Sequence, residues 1–220
     1  MSDKAPVEPL PKSALGGQRH FSTRLFMTDL ILASRSSIRR KMLEDAGVEF
    51  DVVPANIDED AAKEGKPDME AIAQGLAEAK ALAVSEAHPG AWVLGSDSIV
   101  TVGGQLFSKP RDRDEAADHL RTFSGNTMLL TSAAAFAKDG EVDWRHFGRA
   151  ELDVRELSED FIQSYLDAEW PEVGNTVGVF RMEGRGIQLF QSIVGGHFTI
   201  LGMPLIPVLK RLRRYGLLQS

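Results

Sequence analysis

The stretch Leu30–Arg40 reads LILASRSSIRR and indicates how the chain begins to fold. Its apolar start is typical of a short buried strand, and the serines and arginines that follow are typical of a turn into a helix. Hydroxyls, the unpaired amides of a helix N-terminus and guanidinium groups together suit a phosphate chain. The pattern therefore predicts a phosphate site, although a plain strand–turn–helix junction with solvated arginines fits it equally well.

The composition is that of an ordinary globular protein of 220 residues, with 43% hydrophobic and 26% charged residues. A formal net charge of -7 argues against a general nucleic-acid or membrane-surface binder, so we expect neither partner. No apolar run in the sequence approaches the roughly 20 residues that span a bilayer. The absence of cysteine excludes thiol catalysis and thiolate metal sites, and it is compatible with the reducing cytoplasm, where we expect the protein.

Two regions of unequal length follow from the composition along the chain. Residues 1–26 carry three prolines and two adjacent glycines, which predicts a flexible extension. Residues 27–220 form the predicted globular domain, in which strand and helix patterns alternate. Such alternation is typical of an α/β fold, here with a second lobe in the later half of the domain.

The predicted elements are bounded by turn and capping signals. Strands are predicted at Leu30–Ala33, Phe50–Pro54, Ala91–Leu94, Ile99–Val102, Gln105–Phe107, Met128–Ala137, Trp144–Val154 and Ile187–Ile193. Helices are predicted at Ser37–Ala46, Met69–Glu86, Arg113–Phe123, Ser158–Ala168 and Pro204–Tyr215.

Asp97 is the first candidate for catalysis. It lies in a Gly-Ser-Asp-Ser segment that we expect to interrupt a buried strand, leaving the carboxylate exposed at the strand's carboxyl end. There it could hold a divalent cation or take a proton from an attacking water. The alternative is an aspartate that only caps a turn. Glu59 lies in an acidic run, Asp58 to Asp60, which is either a solvated loop or, with Asp97, a site for one metal ion.

Three further charged residues gain interest only if the fold brings them to one cleft. Lys80 lies on a helix face rich in small apolar residues, and Lys109 precedes a proline after a strand. The loop Phe180–Gly186 could present Glu183 to the hydrogen-bonding edge of a base, or it could be a simple bulged connection. The histidines show no zinc-ligand spacing, and neither a phosphate-binding G-x-x-x-x-G-K-S/T loop nor a G-x-S-x-G elbow is present.

In their order along the chain, these segments resemble the Maf family of nucleotide pyrophosphatases over residues 28–212. The resemblance lies in an ordered series of motifs. They are LILASxS with Arg39-Arg40, Ala55–Glu59, Ala79-Lys80-Ala81, Gly95–Val100, Lys109-Pro110, Phe123–Asn126, Met182-Glu183-Gly184 and Leu201–Leu205. The ordered combination is far more specific than any single motif.

The resemblance implies a two-lobed α/β fold in which helices flank a central mixed sheet and a deep active-site cleft. It also implies hydrolysis of a nucleoside triphosphate to the monophosphate and diphosphate, as a house-cleaning activity on the nucleotide pool. Asp97 would accept the proton of the attacking water. A divalent cation, Mg²⁺ or Mn²⁺, would be held by Glu59 and Asp97. Phosphates would be bound by Ser34, Arg40, Lys80 and Lys109, with Arg39 adding positive charge. A homodimer is implied by the resemblance alone.

Base selection is expected at Ile38, Ser98 and Glu183. The branch acting on dTTP and UTP carries different residues at all three positions, whereas the Glu183–Phe190 pattern is similar to the 7-methyl-GTP branch. A carboxylate can accept hydrogen bonds from N1–H and the 2-amino group of guanine, which uracil cannot match. That branch usually has an aromatic residue where Ile38 stands, and isoleucine stacks less well on a cationic base. We therefore expect a purine substrate, a modified guanine such as that of 7-methyl-GTP.

A different class of function is also compatible with these motifs. The chain could be a non-catalytic nucleotide-binding regulator of cell division and septum formation. The presence together of Asp97, Glu59, Lys80 and Lys109 disfavours this alternative, because a pure binding protein has no need of a carboxylate that activates water.

Overall fold

The computed structural model describes residues 28–59 and 68–219. The predicted extension 1–26, the start of the predicted domain at Met27 and Asp60 of the acidic run lie outside the described residues. The boundary between extension and domain therefore stays a prediction.

The described strands form one mixed sheet. They are β1 (Leu30–Leu32), β2 (Asp51–Val52), β3 (Trp92–Val102), β4 (Gln105–Phe107), β5 (Thr127–Lys138), β6 (Glu141–Val154) and β7 (Phe190–Gly195). Their order in the sheet is β2-β1-β3-β5-β6-β7, and β4 pairs with β3 beside this path. β1 runs parallel to β2 and β3, and every other pair is antiparallel. The predicted mixed α/β sheet is confirmed.

Helices flank this sheet on both faces. They are α1 (Ser37–Asp45), α2 (Met69–Ser85), α3 (Arg113–Phe123), α4 (Glu159–Glu169), α5 (His197–Ile200) and α6 (Leu205–Arg214). Four of them begin at a side-chain cap in which an oxygen accepts a hydrogen bond from the backbone N–H three residues on. These caps are Ser36, Asp68, Asp112 and Ser158.

The long strands β3, β5 and β6 are shared by two lobes. In the first lobe the sheet is covered on both faces, because successive residues of a strand point to opposite sides. Leu30 and Leu32 pack with α1 and α6, whereas Ile31 and Ala33 pack with α2. In the second lobe the far halves of the same strands pack against α3 and α4 around Phe123.

One predicted break in the sheet is wrong. β3 runs without interruption from Trp92 to Val102, and its register with β5 continues from Val93 opposite Ala137 to Val102 opposite Met128. The small residues of the Gly-Ser-Asp-Ser segment indicated a turn, but Gly95 serves close packing of α2 instead. Ten cross-strand pairs hold the extended conformation, and they outweigh the weak strand preference of glycine.

Two other elements differ from the prediction. The strand predicted over Ile187–Ile193 begins later, because Arg185–Leu189 forms a 3-10 helix and β7 follows it. The second strand keeps only Asp51–Val52. The hairpin turn at Asp139-Gly140 is confirmed, with both residues at positive φ. Over the described ranges, no helix is long and apolar enough to cross a bilayer.

Candidate active site

A cavity of about 980 Å³ opens between the two lobes. It lies where the sheet leaves a gap: β1 pairs with β3 as far as Leu94, and β4 pairs with β3 only from Val100 onward. Along that edge, no strand of the described residues pairs with the intervening Gly95–Ile99. Ligands of open α/β sheets gather at such a point, beyond the carboxyl end of a strand.

Nine of the ten predicted site residues line this cavity. They are Ser34, Ile38, Arg39, Glu59, Lys80, Asp97, Ser98, Lys109 and Glu183. The tenth, Arg40, is exposed and is not among the lining residues. The structure therefore brings together residues that are spread over 150 positions of the sequence, between Ser34 and Glu183, without Arg40.

Lys80 lies between two carboxylates in the lining of the cavity. Its Nζ lies 2.5 Å from Oδ1 of Asp97 and 2.8 Å from Oε1 of Glu59. The side chains of Lys80 and Asp97 are only 12% and 14% exposed, whereas that of Glu59 is 51% exposed. Because such contacts strengthen as water is excluded, the inner pair is the stronger part of this cluster.

Close packing of α2 on β3 explains how Lys80 reaches Asp97. A Cβ added at Gly95 would lie 2.1 Å from the carbonyl oxygen of Ala77 and 2.7 Å from the amide nitrogen of Ala81. Only glycine on the strand, facing alanines on the helix, permits this approach. The small apolar face noted around Lys80 is thus the contact that aims its ammonium group at the strand.

Asp97 lies in the middle of β3, not at its end as predicted. Strand alternation points Asp97 toward α2, on the same side as Gly95, and points Ser96 and Ser98 to the opposite side. The carboxylate reaches the cavity because the sheet is open beside it, not because the strand stops. It is correspondingly less exposed than predicted.

Arg39 is held in place by three hydrogen bonds. Its Nε donates to the carbonyl oxygen of Gly202 at 2.9 Å, and its Nη2 donates to Oγ of Ser98 at 3.0 Å. A longer bond of 3.4 Å joins Nη1 to Oγ of Ser34. Desolvation lowers the pKa of Arg39 from its ordinary value, while the negative charges of Asp97 and Glu59 oppose this shift. An arginine remains charged at neutral pH even so, and it supplies a fixed positive charge at the base of the cavity.

Gly202 is the hub of this hydrogen-bond network, and sequence reasoning did not single it out as a site residue. Its carbonyl oxygen also accepts bonds from Oγ of Ser96 at 3.2 Å and of Ser98 at 3.1 Å. Its φ of +107° lies in the region that favours glycine. Ser98 is the residue expected to help select the base. Its hydroxyl is hydrogen-bonded to Ser132, Gly202 and Arg39, and these contacts hold Arg39 in place.

The start of α1 offers hydroxyl and amide groups to the cavity. Oγ of Ser34 accepts from the amide of Ser36 at 3.2 Å as well as from Arg39. An oxygen that accepts twice keeps its O–H for donation, which suits an anionic ligand. Ser36 caps the helix through a bond from the amide of Arg39.

The mouth of the cavity carries exposed charges of both signs. Lys109 follows β4, and Glu183 lies in the loop Phe180–Gly186 of the second lobe. Arg181 also lines the cavity, and its hydrogen bonds to Glu169 raise its pKa above the ordinary value. The sequence contained Arg181 within the quoted Phe180–Gly186 loop, but nothing in it indicated a partner on α4.

The match to a known family agrees with this geometry. Residues 29–215 match the family model described as Maf-like protein, so the chain belongs to that family. A Rhizobium etli protein named 7-methyl-GTP pyrophosphatase is 45% identical, over 85% of this chain and 96% of its own length. A Jannaschia sp. protein named nucleoside triphosphate pyrophosphatase 1 is 44% identical, over 87% of this chain and 98% of its own length.

Two further similarities differ in strength. A Brucella suis protein named 7-methyl-GTP pyrophosphatase is 44% identical, over 84% of this chain and 95% of its own length. The solved structure of the Staphylococcus aureus Ham1 protein covers 71% of this chain and 88% of its own, at 14% identity and a TM-score of 0.42. The last likeness is too low to carry an argument.

Proposed function

We propose that this chain hydrolyses a nucleoside triphosphate to the monophosphate and diphosphate. The observation that carries the proposal is the Asp97–Lys80–Glu59 cluster together with the half-buried Arg39, in one cavity large enough for a nucleotide. The names of relatives that are 44–45% identical to this chain, over at least 95% of their own length, support the same reaction.

The side chains divide the chemistry as follows. Asp97 accepts a proton from the water that attacks the α-phosphorus. The bond between the α-phosphorus and the oxygen that bridges it to the β-phosphate then breaks, and diphosphate leaves with that oxygen. Lys80 and Arg39 stabilise the negative charge that spreads over the phosphate oxygens. Ser34 and the start of α1 orient the chain of phosphates, and Lys109 contributes charge at the mouth.

A divalent cation fits the donor set that the cavity provides. No cluster of three or more histidine, cysteine or acidic side chains that could hold a metal ion occurs in the described part of the chain. Mg²⁺ is commonly held by one or two carboxylates together with substrate phosphates, and Asp97 and Glu59 supply that number. The ion, Mg²⁺ or Mn²⁺, would neutralise phosphate charge and lower the pKa of its bound water.

A guanine base, modified as in 7-methyl-GTP, is the proposed specificity. Glu183 at the cavity mouth supplies the acceptor that N1–H and the 2-amino group of guanine require. Relatives named 7-methyl-GTP pyrophosphatase support this choice. Ile38 lines the same cavity and offers an apolar surface to the base. The cytoplasmic location and the homodimer stay predictions.

Product analysis with a panel of triphosphates tests the proposal. The wild-type protein should release diphosphate from 7-methyl-GTP or GTP with Mg²⁺ or Mn²⁺, and orthophosphate as the sole product would contradict the proposed reaction. Asp97→Asn should lower kcat at least about 1,000-fold while the protein stays folded and binds nucleotide. Tight nucleotide binding by the wild type without any turnover would instead favour the regulator of cell division.

A further inference from the structure

The wall of the cavity that carries Glu183 is attached to α4 by two buried polar side chains. These are Tyr165 and Glu169, which lie four residues apart and therefore on the same face of the helix. Neither side chain reaches the Asp97 cluster through any contact described above. Both bind the segment 176–186, which runs from the cavity wall through its mouth.

Glu169 holds the loop at two points. Its Oε2 accepts hydrogen bonds from Nε and Nη2 of Arg181, at 3.1 Å and 2.9 Å. Its Oε1 accepts a bond from the backbone N–H of Arg185 at 3.3 Å. The residue is only 6% exposed, and a buried carboxylate is costly unless it is paired and hydrogen-bonded. Both partners belong to the loop, so the loop must stay in place to satisfy this charge.

Glu183 lies between these two attachment points. The glycines around it let the backbone wrap closely: a Cβ at Gly184 would lie 3.2 Å from Oε2 of Glu169. At Gly186 a Cβ would lie only 2.5 Å from the carbonyl oxygen of Arg181. The backbone on both sides of Glu183 is thereby fixed, although its own side chain is exposed.

Tyr165 holds the preceding turn of the same segment. Its hydroxyl donates to the carbonyl oxygen of Val179 at 2.9 Å. Val179 has a φ of +53°, a conformation that a β-branched residue adopts only when its surroundings impose it. The next residue, Phe180, lines the cavity and bonds through its amide to Oγ1 of Thr176 at 3.1 Å. The hydrogen bond from Tyr165 on α4 thus helps to hold a backbone conformation that the residue at position 179 disfavours.

We infer that Glu169 is a positioning residue for base selection: through Arg181 and Arg185 it fixes Glu183 at the mouth of the cavity. The inference rests on the proposed function and assigns Glu169 no contact with the substrate. Loss of this support should weaken recognition of guanine and leave hydrolysis at the Asp97 cluster intact, because the two parts of the site are held by different elements.

Glu169→Gln tests the inference, with Asp167→Asn on the same helix as its control. Asp167 is 73% exposed and binds Arg113, away from the loop. For Glu169→Gln we expect a roughly tenfold rise in KM for 7-methyl-GTP and GTP, a kcat within about twofold, and an unchanged kcat/KM for UTP. The control should behave as wild type. A merely structural role would lower activity on purine and pyrimidine nucleotides by the same factor.

Each remaining outcome has a defined meaning. An unchanged ratio of kcat/KM for guanine and uracil nucleotides in folded Glu169→Gln overturns the inference and leaves the proposed function standing. A wild-type protein that releases diphosphate from no triphosphate overturns the proposed function itself, and this inference with it. If Glu169→Gln does not fold, Arg181→Lys replaces it, since lysine keeps the charge but cannot reproduce the two-nitrogen contact. The same loss of base preference is expected.

Discussion

Arg39 and Arg40 are neighbours in the sequence and occupy opposite environments in the structure. Consecutive residues of an α-helix point about 100° apart, so a helix that turns one of them into a cavity turns the next one away. Arg39 is bound to Gly202 and Ser98, whereas Arg40 is exposed. The phosphate contact predicted for Arg40 thus has no counterpart in the geometry, and Arg39 supplies the fixed charge.

Replacement of Lys80 tests how much its positive charge contributes to the reaction in a protein that still folds. In Lys80→Met the carboxylates of Asp97 and Glu59 lose the cation that lies 2.5 Å and 2.8 Å from them. The charge on the phosphates also loses a stabilising partner, so we expect kcat/KM for diphosphate release to fall at least about 100-fold.

Lys41→Met is the matched control for this change. Lys41 is 65% exposed and pairs with Asp45 within α1. We expect activity close to that of the wild type, since an exposed pair of this kind contributes little. A loss of less than tenfold for Lys80→Met, in protein shown to be folded by circular dichroism, would remove Lys80 from the reaction.

At the scale of elements, the contact between α2 and β3 is the one that makes the site. Ala73, Ala77 and Ala81 give the helix a surface of small side chains, and Gly95 gives the strand a matching one. The sequence predicted α2, but it divided β3 into two strands and placed a turn between them, where the helix packs. The reason is that a glycine within a strand has the same local signature as a glycine in a loop.

Gly95→Ala should therefore destabilise the fold and the site together. The added methyl group would overlap the backbone of Ala77 at 2.1 Å, so α2 must shift, and we expect a loss of roughly 3 kcal/mol in the free energy of unfolding. Activity should fall as well, because Lys80 moves with the helix. Urea unfolding and diphosphate release measure the two effects.

Gly196→Ala provides the comparison, since its added Cβ would meet Oγ1 of Thr199 at an ordinary 3.4 Å and its φ is -76°. We expect a change of less than about 0.5 kcal/mol in stability there. Equal stability of Gly95→Ala and Gly196→Ala would show that α2 and β3 are not packed as described.

At the scale of the whole molecule, each lobe contains a histidine whose pKa is lowered by partial desolvation of its ring. His119 packs beside Phe107 in the second lobe, and His146 stacks on Trp144 in the first. In the unfolded chain both titrate near 6.5, so the unfolded state binds more protons than the folded state just below that pH. The free energy of unfolding should therefore decrease as the pH falls through about 6.5.

Urea unfolding at pH 7.5 and pH 5.5 measures this dependence. The window lies above the ordinary pKa of carboxylates, so their titration adds little to the difference. His119→Phe removes one titrating group while keeping an aromatic ring beside Phe107, and it should reduce the loss of stability at pH 5.5. A free energy of unfolding that increases toward pH 5.5 in the wild type would contradict the lowered pKa values of His119 and His146.

The sequence by itself determined the elements and most members of the site. Periodicity and capping signals gave most of the helices and strands, because these depend on residues only a few positions apart. The ordered motifs indicated the family to which the chain belongs, and nine of the ten residues predicted for the site line the cavity.

Only the tertiary structure decided how these residues work together. Asp97 meets Lys80 across 17 positions, Arg39 meets Gly202 across 163, and Glu169 meets Arg181 across 12 in an irregular loop. No local pattern encodes such contacts, because each depends on how close two packed elements can approach. The LILASRSSIRR stretch predicts a strand, a turn and a helix, and the packing around it determines which arginine faces the cavity.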